Sequence, residues 1–152
     1  MNNSFVIRPL EAADAAVVSQ FLRAQPSEYG RFFYAFGSDE AEIATLLAAA
    51  RADVYSGIFW RGELIGVFML RGWDAGFEIP SFGVFIADKH RGGAFFNLTF
   101  ETVKTICRLT GTKKMMAKAH GDNITQRVAR SLGFRAVGFE ETTGNTIYHL
   151  EL

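Results

Sequence analysis

The stretch that decides the fold is Gly83-Val84-Phe85-Ile86-Ala87-Asp88-Lys89-His90-Arg91-Gly92-Gly93-Ala94. Residues 82–86 alternate β-branched and aromatic side chains, which predicts a strand. Residues 95–109 place their apolar side chains at helical spacing, which predicts a helix. A strand that turns through basic and glycine residues into a helix N-terminus directs unpaired N–H groups and a positive dipole end at one spot. The turn is therefore a candidate anion site, typically for a phosphate, or else an ordinary strand-to-helix loop.

Composition limits the class of protein. The 152 residues are 49% hydrophobic and 14% aromatic, which predicts one domain over residues 1–152 with a packed core. Sixteen acidic and sixteen Lys plus Arg residues balance, which argues against a nucleic-acid partner. The sequence has no apolar run of about eighteen residues and no basic-then-apolar leader, so we expect no membrane contact and a cytoplasmic location.

Cysteine and histidine usage argues against thiol and metal chemistry. The one cysteine, Cys107, falls in the apolar row of the predicted helix and is expected to be a reduced core residue. His90, His120 and His149 lack the spacing of metal ligands, so no metal is expected.

Periodicity and turn residues predict the element order β-α-α-β-β-β-α-β-α-β-β, an α/β domain with a mixed sheet. Strands are predicted at 5–8, 54–60, 63–71, 77–86, 113–119, 134–140 and 145–150, and helices at 11–23, 38–52, 95–109 and 124–132. Arg61-Gly62 is predicted to form a tight hairpin. Pro80 and Gly83 inside the fourth strand predict a bulge or an unpaired edge there.

Residues 26–37 form a loop with five aromatic side chains. Loops are usually polar, so this composition indicates a lid or one wall of a ligand site. A plug for the core is the alternative.

With these elements, the sequence resembles the GNAT superfamily of acyl-CoA-dependent N-acetyltransferases over nearly its whole length. Arg91-Gly92-Gly93-Ala94-Phe95-Phe96 is similar to the family's Arg/Gln-x-x-Gly-x-Gly/Ala motif, although Ala94 and Phe96 stand where small glycines are usual. Residues 122–134, which end in Leu-Gly-Phe, are similar to the second motif. Many members carry a tyrosine on that helix as the general acid, and the matching residue here is Ala129.

The resemblance implies a single GNAT-type α/β (α+β) domain. Its mixed, mostly antiparallel, twisted sheet would have six to seven strands flanked by about four helices. It implies acetyl-CoA as co-substrate, with the pyrophosphate on backbone amides around Gly92 to Phe95. The implied cofactor-binding residues are Phe85, Ile86, Arg91, Gly92, Gly93, Ala94, Phe95 and Asn123.

Acetyl transfer also needs catalytic groups. Glu78 is the candidate base that would neutralise the amine, with a solvated edge carboxylate as the alternative, and Ser81 is a candidate hydrogen-bond partner of the substrate or of a base water. A backbone N–H of the fourth strand would stabilise the thioester oxygen. With Ala129 at the usual acid position, the remaining candidate donors to the thiolate are Tyr29, Tyr34, His120 and Tyr148.

The sequence constrains the molecule that accepts the acetyl group less than it constrains the donor. Residues 70–83 resemble a stretch of GNAT members from surface-polysaccharide and amino-sugar pathways, which implies an amine on a sugar, often nucleotide-linked. The candidate substrate-binding residues are Tyr29, Phe33, Arg71 and Trp73. Two alternatives stay open: an acetyltransferase of protein N-termini or side chains, and a non-catalytic acyl-CoA-binding module. A homodimer is a further expectation.

Overall fold

The protein is described by a computed structural model that covers residues 2–30, 36–121 and 125–152. Seven strands form one sheet in the order β1-β2-β3-β4-β5-β7-β6. They are β1 (Phe5–Pro9), β2 (Val54–Trp60), β3 (Glu63–Arg71), β4 (Ser81–Ile86), β5 (Lys114–His120), β6 (Arg135–Glu140) and β7 (Asn145–Glu151). All neighbours are antiparallel except β4 and β5, which confirms the mixed, mostly antiparallel sheet.

The described residues form five α-helices, against the four predicted. They are α1 (Ala15–Arg23), α2 (Ser27–Gly30), α3 (Glu40–Ala49), α4 (Ala94–Leu109) and α5 (Thr125–Ser131). The additional helix, α2, is a single turn inside the aromatic loop and is too short to show a helical period. Asp39 caps α3, because its carboxylate accepts the N–H of Glu42 at 2.9 Å.

The hairpin between β2 and β3 is confirmed. Arg61 and Gly62 both have positive φ, 52° and 80°, as the twist of a two-residue hairpin turn requires. The irregularity of this sheet region is a register shift between Ile58 and Phe59 of β2.

The fourth strand differs from the prediction at its start. It begins at Ser81 instead of Phe77, because Pro80 has no N–H for a ladder and Gly72 nucleates a turn whose carbonyl accepts the N–H of Phe77 at 2.9 Å. The predicted bulge in this strand is absent from the β3–β4 ladder, which runs in unbroken register from Gly66↔Ile86 to Arg71↔Ser81. The other predicted possibility, an unpaired edge, fits the side of the strand that faces β5, because in the described residues only Ser81 is paired there.

Two hydrophobic clusters cover the two faces of the sheet. The cluster on the face of α4 and α5 contains Phe100 and Cys107, which is buried as predicted. The cluster on the face of α1 and α3 contains Val18 and Ile43. Because successive side chains of a strand alternate, Phe82, Val84 and Ile86 contact the first cluster and Phe85 contacts the second.

Candidate functional site

An opening in the sheet separates β4 from β5. In the described residues the two strands are paired only at Ser81↔Met116, next to the hydrogen bond from Met116 N–H to the carbonyl of Pro80 at 2.8 Å. The Ala87 N–H donates to the carbonyl of Ile65 on β3 at 2.7 Å. In an antiparallel pair, every second residue directs its N–H and C=O groups at the same neighbour, so residues 81, 83 and 85 also direct theirs toward β3. The backbone groups of Val84 and Ile86 therefore point toward β5 and into the opening.

The opening continues into a cleft of about 1080 Å³. Its walls are the loop after β3, β4, β5, α5 and the β6–β7 hairpin. Polar side chains that line it are Asp53, Arg71, Glu78, Ser81, Lys118, His120, Glu140, Thr143, Asn145 and His149. Apolar side chains that line it include Phe96, Met116, Ala117, Ala129, Leu132 and Phe134. The cleft thus has an apolar side next to α5 and a charged side opposite.

The turn before α4 has the geometry of an anion site. Gly92 and Gly93 have φ of 112° and 123°, and a Cβ atom built on either would meet nothing within 4 Å. Gly93 is the N-cap of the sixteen-residue helix α4, and no side chain caps the N–H groups there. The first N–H groups of α4 are left for an external acceptor, on the positive end of the helix dipole.

The two phenylalanines in the first turn of α4 stack on other aromatic rings. Phe95 stacks on Phe5 with ring centroids 5.9 Å apart, and Phe96 stacks on Phe100 at 6.3 Å. Phe96 also lines the cleft, at the place where the family motif has a small residue.

The first part of the aromatic loop is anchored to the same turn. The Tyr29 hydroxyl donates to the carbonyl of Ile86, and burial raises the pKa of this phenol. The Arg91 guanidinium lies 5.1 Å from the centre of the Tyr29 ring and 3.1 Å from a carboxylate oxygen of Asp88. Asp88 N–H in turn donates to the Gln25 side chain at 2.9 Å. Tyr29, predicted to bind substrate, therefore lies at the end of the opening that faces the turn.

The loop between β3 and β4 is held by two carboxylates. Asp74 accepts the N–H groups of Arg51, Ala52 and Asp53 at 2.9, 2.7 and 3.3 Å, and these bonds, led by those from Arg51 and Ala52, lower the pKa of Asp74. Asp53 in turn accepts the N–H groups of Gly72 and Asp74, both at 3.0 Å. We call this pair the Asp53–Asp74 clasp. It fixes the loop that carries Glu78.

The cleft brings together some of the predicted site residues. Glu78, which is exposed, and Ser81 and Arg71, which are half-buried, all line it. Trp73 packs instead against the core cluster beneath α4 and α5 and does not line the cleft. Phe33 and Asn123, with Arg31, Tyr34 and Asp122, lie outside the described residues. Phe85 is paired with Val67 in the ladder with β3, and the cofactor contact predicted for Phe85 stays a prediction, as does that of Ile86.

Sequence reasoning overlooked the charged side of the cleft. Lys118 lies 3.0 Å from Glu140, and His149 lies on the neighbouring strand. The alternation of Met116, Lys118 and His120 along β5 was the available signal, because it places two cationic or titratable side chains on one face. The partner strand could not be known from that pattern.

Two further findings come from the described residues. They contain no group of three or more His, Cys, Asp or Glu side chains that could hold a metal ion. None of their helices is both long and apolar enough to cross a membrane.

Comparison with solved structures identifies similar folds. A PaiA N-acetyltransferase from Thermoplasma acidophilum in complex with coenzyme A is 12% identical, with TM-score 0.81 over 98% of this chain and 99% of that chain. The GNAT domain of S. lividans PAT is 18% identical, with TM-score 0.80 over 99% and 97%. An acetyl transferase from Salmonella typhimurium that modifies the N-terminal serine of ribosomal protein L7/L12 is 13% identical, with TM-score 0.73 over 99% and 96%.

The sequence itself gives the family. No curated protein matches it. The sequence profile described as "Acetyltransferase (GNAT) domain" matches residues 4–135, which is most of the chain. The same residues contain the turn before α4 and both strands of the opening. The chain therefore belongs to the GNAT family of acetyltransferases, enzymes that take their acyl group from a thioester of coenzyme A.

Proposed function

We propose that the protein transfers an acetyl group directly from acetyl-CoA to a primary amine of a small molecule, such as an amino sugar. Binding of acetyl-CoA is supported by one observation, which is that the opening between β4 and β5 leads to the glycine turn before α4. The backbone groups of Val84 and Ile86 point into the opening, as an extended amide-bearing arm requires. The N-terminus of α4, with Gly92 and Gly93, lies at one end of it to take the pyrophosphate.

Arg91 adds charge to this site. Its side chain is 64% exposed beside Asp88 and the Tyr29 ring, so it can turn toward a phosphate without leaving a buried charge unpaired. The proposed cofactor contacts are thus the backbone of residues 92–95, the Arg91 side chain and the opened edge of β4.

Glu78 is the proposed base. Its carboxylate lines the cleft on a loop that the Asp53–Asp74 clasp fixes. It would take a proton from the acceptor ammonium, directly or through a water held by Ser81. The neutral amine then attacks the thioester carbonyl, and the C–N bond forms. The nitrogen loses a second proton to water in the cleft, the C–S bond breaks, and the thiolate needs a proton.

The charge of the cleft supports a small acceptor. Asp53, Glu78 and Glu140 are accompanied by Arg71 and Lys118, so carboxylates that attract an amine lie beside cations that attract a phosphate. An amine on a phosphate-bearing sugar presents both charges. The identity of that acceptor, a homodimer and a cytoplasmic location stay predictions.

A protein N-terminus is the second candidate acceptor. The similar Salmonella structure belongs to an enzyme that modifies an N-terminal serine. A peptide acceptor calls for an acidic groove between the early loops and the last hairpin, and the described part of the cleft mixes both signs. A non-catalytic acyl-CoA-binding module is distinguished from both by binding of acetyl-CoA without turnover on any amine.

A thiol-release assay with acetyl-CoA tests the proposal against nucleotide amino sugars, polyamines and N-terminal peptides. With the accepted amine, Glu78→Gln should lower kcat at neutral pH by about tenfold or more, because the base is lost. Glu101→Gln is the matched control, since this exposed carboxylate on α4 pairs with Lys104 and does not line the cleft. An unchanged kcat in Glu78→Gln removes Glu78 from the mechanism, and turnover of peptides alone overturns the small-molecule acceptor.

A further inference from the structure

Tyr148 carries a buried hydroxyl for which the described residues supply no hydrogen-bond partner. The residue lies at the centre of β7 and is 0% exposed. Its phenolic oxygen has no hydrogen-bond partner among the described residues. Burial of an O–H without a partner destabilises a fold, so each such group in a native protein calls for an explanation.

The surroundings of Tyr148 open onto the cleft. Its directly paired neighbours in the sheet are two alanines, Ala117 on β5 and Ala136 on β6. Tyr148 belongs to the same core cluster as Ala129 and Phe134. Ala117, Ala129 and Phe134 all line the cleft. Tyr148 is thus paired across the sheet with Ala117, a residue that lines the cleft, and it shares a core cluster with two more such residues, Ala129 and Phe134.

Other side chains that could donate a proton are less suitably placed than Tyr148. Lys118, His120 and His149 alternate with Ala117 and Tyr148 along their strands, so they project from the opposite face of the sheet, with Glu140. The hydroxyl of Thr146, which shares the face of Tyr148, accepts from Gln126 at 3.4 Å. Arg127 and Arg130 of α5 are exposed, and burial raises the pKa of the Cys107 thiol, which keeps that neighbour neutral.

We propose that Tyr148 is a catalytic residue that donates its hydroxyl to the sulfur of coenzyme A and protonates the leaving thiolate. The inference rests on the proposed function. When the amine attacks, the C–N bond forms and the electron pair of the C–S bond passes to sulfur. The attacking nitrogen loses its second proton to water in the cleft, sulfur takes the proton of Tyr148, and the phenolate recovers a proton from that water. The proton that the ammonium first gave to the base leaves to solvent. Binding of the thioester also supplies the missing partner of the buried hydroxyl.

The test uses coenzyme A labelled with ¹³C at the carbon next to sulfur, because the chemical shift of this carbon reports ionisation of the bound thiol. In the wild-type protein the bound thiol should be more acidic than free coenzyme A. Tyr148→Phe should raise its pKa, reducing the ionisation constant about tenfold, as loss of one hydrogen bond to a charged group predicts. The melting temperature of this variant should be unchanged or higher, because the hydroxyl removed has no hydrogen-bond partner in the described part of the chain.

Two controls keep the test specific. Tyr55→Phe removes a hydroxyl from the cluster on the other face of the sheet and should leave thiol ionisation unchanged. A fluorinated tyrosine at position 148 keeps the ring, strengthens the O–H as a donor and should make the bound thiol more acidic, so a result is available even if Tyr148→Phe folds poorly. With an accepted amine, Tyr148→Phe should also lower kcat about 100-fold with little change in coenzyme A affinity.

The outcomes separate the two claims. Binding of coenzyme A with the same thiol ionisation in wild type, Tyr148→Phe and the fluorotyrosine protein overturns the role of Tyr148 and leaves the proposed function standing. Failure of the wild-type protein to bind coenzyme A overturns both.

Discussion

At the scale of single residues, the two glycines before α4 contribute shape instead of side-chain chemistry. The φ angles of Gly92 and Gly93, 112° and 123°, lie where L side chains are rarely found. Open space surrounds the position of a Cβ on either residue, so close packing within the protein is not the reason for glycine. The backbone conformation is the reason, together with the space that a bound phosphate would fill.

A matched pair of alanine substitutions separates these two effects. Gly93→Ala and Gly111→Ala lie at opposite ends of α4, both at positive φ and both with nothing within 4 Å of the new methyl group. Each should destabilise the fold by about 1–3 kcal/mol through backbone strain. Only Gly93→Ala should also weaken binding of coenzyme A, about tenfold or more, measured by titration calorimetry. Equal affinities in the two variants would move the pyrophosphate away from this turn.

At the scale of elements, the Asp53–Asp74 clasp joins the loop after β3 to the residues before β2. Backbone N–H groups of Arg51 and Ala52 are the main cause of the lowered pKa of Asp74, so the folded state favours its ionised form. A lowered pKa contributes stability above the ordinary pKa of aspartate. That contribution is lost as the pH falls through the lower value of the folded protein.

Acid titration should therefore release this loop before the sheet unfolds. The amide resonances of Arg51 and Ala52 should shift as the pH falls through and below the ordinary range of an aspartate, about 4. Asp74→Asn should abolish that titration and speed hydrogen exchange of the Ala52 amide about tenfold at neutral pH, since a neutral acceptor binds N–H groups less strongly. Asp14→Asn, which breaks the separate pair with Arg8, should leave both amides of the clasp unchanged.

Which elements could be predicted depended on how local their signals are. The strand, turn and helix from Phe82 to Leu109 lie together in the sequence, and each has its own period or turn residues. The loop at 77–80 resembles a strand by composition, but Pro80 and the turn at Gly72 override it. The separation of β4 from β5 has no local signal at all, because it depends on how strands from different parts of the chain meet.

The candidate site likewise contains residues with a local sequence signal and residues whose position depends on the pairing of distant strands. Glu78 and Ser81 could be placed near the cleft because they adjoin the fourth strand. The charged side at Lys118 and Glu140 depends on pairing between β5, β7 and β6, and the buried hydroxyl of Tyr148 depends on what α5 covers. A sequence contains those residues but not their neighbours across the sheet.

At the scale of the whole molecule, the sheet has two halves, one of strands β1 to β4 and the other of β5, β7 and β6. In the part of the chain that the structure describes, one register pair joins them. A ligand whose backbone-like arm fills the opening would bridge the halves. At a hundredfold excess over Kd, coenzyme A should stabilise the fold by about 2.7 kcal/mol. For a chain of this size that corresponds to a rise in Tm of about 5–10 °C.

Hydrogen exchange gives the location of that effect. Amides of Val84, Ile86 and the facing residues of β5 should gain protection on binding of coenzyme A, whereas β1 and β2 should gain little beyond the global effect. Uniform protection with no excess at the opening would mean that the cofactor binds elsewhere. Because Cys107 is fully buried, thiol reagents added to the native protein should report the released coenzyme with little background.

Among the described residues, Ser81↔Met116 is the one register pair between β4 and β5, and this has a consequence for the size of the acyl group. Rotating one half of the sheet about that pivot breaks no other backbone ladder, so room for a longer acyl chain costs no hydrogen bonds between strands. We expect Phe96, which lines the cleft, to limit the length of the acyl chain, so trimming Phe96 should admit propionyl or butyryl donors. Phe134 also lines the cleft, but it is 5% exposed in the core cluster, so trimming it should destabilise the fold as well.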